Sequence, residues 1–239
     1  MRSEPGDAFN IHAIYMGPWD IMSQHYYRRR EPPVGISSFT KIRLGWISSK
    51  QVVLAQPGET VYAFLSPLAK KGDTLVVKIP LKQGRYYLIE NRQPIGFDRI
   101  LPDSGILILK VDPRKPSGSG PVRLMDPDPK SMHFSRATFR LDHENRNLFL
   151  DKGNNIAVIP LWPEGDKLGV LITTPPKSLD ALEAALAIQE LLKSYPEPRK
   201  KEEEQLIEKS IMSFKAFDFK KCYQITQQAL PGREFKRKK

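Results

Sequence analysis

The stretch TLVVKIPLKQGRYYLIENR, residues 74–92, decides the fold predicted for this chain. β-Branched and aromatic residues dominate both halves, and the glycine-containing segment 83–85 separates them, which is typical of two antiparallel strands joined by a turn. Side chains alternate along a strand, so Leu88, Glu90 and Arg92 share one face of the second half. A contact between Glu90 and Arg92 could then line a cleft or hold adjacent strands together.

Similar β-rich stretches lie on both sides of this pair. They are VVLA at 52–55, TVYAFLS at 60–66 and GILILKVD at 105–112. Their composition and the turns between them predict a meander of antiparallel strands. Upstream, apolar residues recur at helical spacing in ISSFTKIRLGWI, which predicts a short helix over 36–44.

The chain beyond residue 112 begins with an irregular part. Residues 113–131 are rich in proline and glycine and predict a long connection, within which 122–125 could form a brief strand. β-Rich composition then returns in ATFRL (137–141), NIAVIPLW (155–162) and LGVLITT (168–174). These stretches predict a small β extension of the first sheet.

The apolar period changes after Pro175 and Pro176. Apolar residues then recur every three or four positions, which predicts helices over 178–195, 201–214 and about 218–230, packed against the β portion. The predicted fold is therefore α+β, with an antiparallel β-rich portion, a short N-terminal helix and a C-terminal helical hairpin or three-helix unit. The predicted regions are 1–112, an irregular connection and β extension over 113–176, and a helical unit with a basic tail over 177–239.

The composition limits the possible functions. Lysine and arginine number 38 against 27 aspartates and glutamates, a net charge of +11, but no recognised nucleic-acid motif accompanies this charge and nucleic-acid binding is not predicted. Cys222 is the single cysteine, which excludes an internal disulfide and a cysteine zinc site. Neither a signal peptide nor a membrane span is recognisable, so the chain as encoded is predicted to be cytoplasmic.

Four stretches, taken in order, resemble the immune inhibitor A-like zinc metallopeptidases. They are MGPWDIMS (16–23), SSFTKIRLGWI (37–47), RYYLIENRQ (85–93) and GFDRILPDSGILILKVD (96–112). The resemblance covers about the first half of the chain and the part of the family's catalytic domain that follows the zinc helix. It implies that region 1–112 is a metallopeptidase-like C-terminal subdomain. Members of the family are commonly secreted.

The resemblance implies candidate site residues. Trp19, Asp20 and Met22 match the methionine-bearing turn, in which the methionine forms a hydrophobic floor beneath the zinc ligands. Five further residues match the family without an assigned role: Glu90, Asn91, Arg92, Asp98 and Asp112. For Glu90 and Arg92 the structural interpretation is favoured, because they have no histidine partner, and Asp112 could equally cap a turn.

Lys110 departs from the family pattern, because it stands where relatives tend to have histidine. A lysine cannot act there as a neutral imidazole does. No catalytic contribution is therefore expected from this position.

The zinc motif of the family is not found in this chain. It places two histidines four residues apart on a helix with a glutamate beside the first, and His12, His25, His133 and His143 contain no such pair. A metal site built from His12, His25 and Glu31 is the alternative, which their spacing does not support. His133 and His143 are predicted to be surface residues. We therefore predict no catalytic residue and no metal or other cofactor in this chain, whereas the family uses zinc.

The expected function is that of a truncated or non-catalytic relative of these peptidases, which does not hydrolyse peptides alone. The alternatives are a protein-interaction module with a basic surface and the C-terminal half of a split peptidase. The expected partner is a separately encoded catalytic half or a second copy of the chain. Without the zinc helix the apolar turn needs a cover, for which residues 9–14 (FNIHAI) or a second copy are favoured.

Overall fold

The computed structural model describes residues 15–23 and 32–230, in which nine strands form two sheets beside four α-helices. The helices are α1 (Ser38–Arg43), α2 (Ser178–Ser194), α3 (Lys201–Lys215) and α4 (Phe219–Ala229). The strands are β1 (Val52–Leu54), β2 (Val61–Leu65), β3 (Val76–Pro80), β4 (Tyr86–Arg92), β5 (Gly105–Val111), β6 (Val122–Leu124), β7 (Phe149–Asp151), β8 (Ile156–Glu164) and β9 (Lys167–Thr173). The predicted α+β class is confirmed, and the predicted helix bounds agree with these within about two residues.

The strands pair in two separate sheets. The first sheet has the order β1-β3-β4-β5-β6 and the second the order β2-β9-β8-β7. The hairpin predicted from residues 74–92 is confirmed, since β3 and β4 are antiparallel and Val76 pairs with Glu90. The single meander was wrong, because β2 pairs with β9 in the second sheet and β1 lies parallel to β3.

The later β stretches also differ from the prediction. β7, β8 and β9 build the second sheet with β2 and do not extend the first, so both sheets contain strands from either side of residue 112. The brief strand predicted at 122–125 is confirmed as β6. The predicted strand ATFRL is reduced to one isolated bridge, between Phe139 and Ile106.

Side-chain alternation orders the molecule into four layers. On β4, Ile89 faces an apolar core shared by the two sheets, whereas Leu88 faces a core shared with the turn and α1. On β8, Val158 faces the core between the sheets and Ile159 faces the helices. We call residues 15–23 with α1 the turn layer, and α2 with α3 and α4 the helical layer.

The helical layer packs on the outer face of the second sheet, in agreement with the predicted packing of the helices against the β portion. Small and apolar residues of α2, among them Ala185 and Ile188, lie fully buried against β8. Phe214 of α3 meets Trp162 edge to face, with ring centroids 5.0 Å apart. Apolar burial of this kind is the main force that holds a helix to a sheet.

Candidate functional site

The methionine-bearing turn forms one 3₁₀ turn, Gly17–Trp19. Gly17 has a φ of +51°, and a β-carbon there would lie 2.8 Å from the ring of Phe134, so both backbone and space require glycine. Trp19 is fully buried, and its indole Nε1 donates a hydrogen bond of 2.8 Å to the carbonyl oxygen of Phe134. The segment Met132–Phe134 therefore contributes to the cover of this turn.

Asp20 joins the turn to the segment that begins α1. Its Oδ1 accepts a hydrogen bond from the backbone N–H of Met22 at 2.9 Å. Its Oδ2 accepts from the backbone N–H of Ser37 at 3.0 Å and from the hydroxyl of Thr40 at 3.4 Å. Only 2% of the residue is exposed. Both carboxylate oxygens are thus engaged within the protein.

Arg92, Glu90 and Asp98 form what we call the buried ionic cluster. Arg92 Nη1 lies 2.9 Å from Glu90 Oε1, while Nε and Nη2 make a two-pronged contact with the carboxylate of Asp98 at 2.9 and 2.8 Å. Nη1 also donates to the carbonyl oxygen of Trp19 at 2.8 Å. The exposed fractions of the three side chains are 0%, 0% and 3%. The cluster therefore fastens the turn to the first sheet.

The charges of this cluster stabilise one another. Burial disfavours the charged form of Arg92, but the carboxylates of Glu90 and Asp98 outweigh this effect and raise the pKa of the guanidinium. The carboxylates also accept backbone hydrogen bonds, Glu90 Oε2 from Ser38 at 2.8 Å and Asp98 Oδ1 from Gly35 at 3.1 Å. These bonds attach the start of α1 to the same cluster.

Lys41 lies beside the cluster on α1. Burial lowers the pKa of its ammonium group, against the opposing effect of the Glu90 and Asp98 charges. Its Nζ donates a hydrogen bond of 2.6 Å to the carbonyl oxygen of Leu68. Lys41 thereby links α1 to the segment after β2.

Asn91 points to the opposite face of β4 and joins the two sheets. Its Nδ2 donates to the carbonyl oxygen of Leu65, the last residue of β2, at 2.8 Å. Its backbone oxygen accepts from the N–H of Leu68 at 2.9 Å. This buried amide is separate from the ionic cluster and has a structural role.

Asp112 lies apart from both groups. Its carboxylate makes a two-pronged ion pair with Arg114 and also accepts the backbone N–H of that residue. The side-chain hydrogen bonds from Arg114 hold the pKa of the Asp112 carboxyl at about 2. The geometry is that of a turn cap. Lys110 lies near the ring of Tyr87, with 5.8 Å from Nζ to the ring centroid.

Met22 is the most exposed of the matched turn residues. Its exposed fraction is 78%, whereas Met16, at the start of the same turn, is buried. Met22 lines the rim of a cleft of about 330 Å³ between the turn, α1 and the loop before β6. The other lining residues include Phe39, Arg43 and Leu44.

The described residues contain no cluster of three or more histidine, cysteine, aspartate or glutamate side chains that could hold a metal ion. His133 and His143 are exposed, as predicted. His12, His25 and Glu31 of the alternative metal site, and the proposed covering residues 9–14, lie outside the described residues. No helix in the described ranges is long and apolar enough to cross a membrane.

Sequence reasoning did not identify Ser38, Lys41 and Phe134 as parts of this site. Ser38 and Lys41 lie within residues 37–47, one of the four stretches from which the resemblance was inferred. Phe134 is 115 residues from Trp19 in the sequence, and no periodic pattern marks it. Comparisons of the chain with protein-family models, with curated proteins and with solved structures found no match.

Proposed function

We propose that this chain is a non-catalytic relative of the immune inhibitor A-like zinc metallopeptidases and does not hydrolyse peptides by itself. One observation carries the proposal. Five residues that match the family, namely Trp19, Asp20, Glu90, Arg92 and Asp98, make one connected, buried set of contacts beneath the turn. These contacts give the five residues a structural role, so that no catalytic role is needed to account for them.

The carboxylates of this set are poorly placed for catalysis. A general base or a zinc ligand must reach a water molecule or a substrate. Glu90, Asp98 and Asp20 are buried, and each accepts at least two hydrogen bonds from the protein. They would have to leave these partners before they could act on a substrate.

The experiment that tests the proposal measures zinc content and peptide hydrolysis of the purified chain. After dialysis with zinc and then against a weak chelator, we expect far less than one zinc ion per chain and no cleavage of labelled casein. The variants His12→Ala and His25→Ala should give the same values. Stoichiometric zinc that either variant abolishes, or zinc-dependent cleavage, would overturn the proposal.

An interaction role is the second candidate, as a docking module or as the C-terminal half of a split peptidase. The observation that favours it is the exposure of apolar side chains at the cleft. Met22 and Leu44 line it and are 78% and 54% exposed, and Ile21, next to Met22 in the sequence, is 40% exposed. Exposed apolar groups of this kind mark contact surfaces. Sedimentation velocity tests a second copy as the partner: self-association that Met22→Asp abolishes, and that Met212→Asp on α3 leaves intact, would support it.

A further inference from the structure

The cleft beside Met22 has apolar walls. Phe39 and Leu44 form the side that belongs to α1 and the turn after it, Met22 forms the rim, and Pro121 and Val122 close the other side. Its volume of about 330 Å³ lies at the lower end of the range of about 300–1,000 Å³ found for ligand sites. The cleft therefore suits one or two large apolar side chains.

The charge available in this cleft is positive. Asp20 is the acidic residue among those that line it, and both of its oxygens accept hydrogen bonds within the protein. Arg43 is exposed and its guanidinium lies 5.5 Å from the ring centroid of Phe39. Across the described part of the chain, no carboxylate lies within ion-pair distance of Arg43.

The exposed guanidinium stands beside the apolar walls, so a ligand can use both. We propose that this cleft binds an extended segment of a partner protein in which large apolar side chains lie directly beside carboxylates. The apolar side chains enter between Phe39, Met22 and Leu44, and a carboxylate pairs with Arg43. An arginine that stacks on an aromatic ring is held in place for such a charge-assisted hydrogen bond.

The net charge of the chain supports an acidic partner. An excess of +11 attracts polyanions and acidic segments from a distance. Charge alone would favour a nucleic acid equally, but the apolar walls of the cleft favour a peptide with apolar side chains. The inference concerns binding alone, and it does not depend on descent from a peptidase.

The test uses fluorescence anisotropy with three fluorescein-labelled octapeptides and the full chain. The first peptide is Gly-Ser-Leu-Phe-Asp-Glu-Gly-Ser, the second replaces its acids with two lysines, and the third replaces Leu-Phe with two serines. We expect the first to bind at least about tenfold more tightly than either of the others, because each of them lacks one of the two contacts.

Matched variants locate the binding. Arg43→Glu should weaken the first peptide about tenfold or more, while Lys209→Glu, the same change on exposed α3, should have little effect. Met22→Asp should weaken it as well, whereas Met212→Asp, at a methionine 70% exposed on α3, should not. Circular dichroism establishes that all four variants fold.

Several outcomes would overturn the inference. Equal weakening by Arg43→Glu and Lys209→Glu would show diffuse charge attraction, as would equal binding of the first and third peptides. Tighter binding of an octamer of deoxythymidine than of the first peptide, lost in Arg43→Glu, would identify a nucleic-acid site. No peptide binding, together with self-association that Met22→Asp abolishes, would assign the cleft to a second copy of the chain. Cleavage of the first peptide would refute the proposed function and leave the binding site standing.

Discussion

The turn layer and the helical layer cover opposite faces of the same pair of sheets, and each buries an apolar core against its sheet. The turn layer is fastened in addition by a few buried charges and hydrogen bonds that meet at Arg92. The helical layer is fastened by a continuous apolar core that includes Ile188, Phe214 and Trp162. Part of the attachment of the turn layer therefore depends on the partners of one side chain, whereas that of the helical layer is distributed over many apolar contacts.

This difference matters because buried charges and apolar contacts respond differently to substitution. Removal of one member of a buried ion pair leaves its partner charged and desolvated, which costs more than the contact itself contributed. Removal of an apolar group costs the lost burial and the remaining cavity, which neighbours can partly fill. The turn layer should therefore tolerate substitution less well than the helical layer.

Arg92→Met should have the largest effect. The change leaves Glu90 and Asp98 buried without their cation, and we expect the free energy of unfolding to fall by about 3–5 kcal/mol. Urea denaturation monitored by circular dichroism measures it. The matched control is Arg114→Met, at an exposed ion pair, which should leave the urea midpoint almost unchanged. A loss in Arg92→Met no larger than in the control would show that the cluster does not stabilise the turn layer.

Ile188→Ala tests the helical layer. Ile188 is fully buried on α2, so the variant should lose about 2–5 kcal/mol, the range for large-to-small changes in a core. Leu179 on the same helix is 54% exposed, and Leu179→Ala should change stability by less than about 0.5 kcal/mol. If both variants unfold at the same urea concentration as the unmodified chain, α2 does not dock on the second sheet in solution.

Cys222 gives the helical layer a pH dependence. Burial raises the pKa of its thiol to about 12, well above the ordinary value of about 9. The unfolded chain therefore releases this proton at a lower pH than the folded chain, so stability present below pH 9 is lost as the pH rises towards 12. Between these pH values the free energy of unfolding should fall by up to about 1.4 kcal/mol per pH unit, which corresponds to a difference of about one bound proton between the two states.

The variant Cys222→Ala isolates this contribution from the other groups that titrate in alkali. Urea midpoints of both proteins between pH 8 and 10.5 should diverge, with the unmodified chain falling more steeply above pH 9. Parallel curves would mean that the thiol titrates equally in both states, which is incompatible with a buried Cys222.

The sequence predicted the elements of both layers better than their arrangement. Apolar periodicity located α2, α3 and α4 because each helix has one buried face, and strand alternation placed Glu90 and Arg92 on one side of β4. The division into two sheets could not be predicted, because the pattern of β2 gives the spacing of its buried residues and not the strand with which it pairs. For the same reason the contact of Trp19 with Phe134 has no local signature.

The smallest expected effect is the difference in stability between substitutions of two buried tryptophans. Trp19 belongs to the turn layer, and Trp162 of β8 packs against the helical layer. Trp19 donates its indole N–H to Phe134, whereas the buried Nε1 of Trp162 has no hydrogen-bond partner among the described residues. Replacement of either by phenylalanine removes a similar apolar volume, but only Trp19→Phe also removes a hydrogen bond, after which the Phe134 carbonyl oxygen keeps the 3.3 Å bond from the N–H of Ala137. We therefore expect Trp19→Phe to cost about 1 kcal/mol more than Trp162→Phe.

Urea denaturation of the two variants measures this difference, and fluorescence of a chain that keeps only Trp19 should show the blue-shifted emission of a buried indole. Equal losses in the two variants, or the emission of a water-exposed indole in a folded monomer, would contradict a buried Trp19 that donates its indole N–H to Phe134.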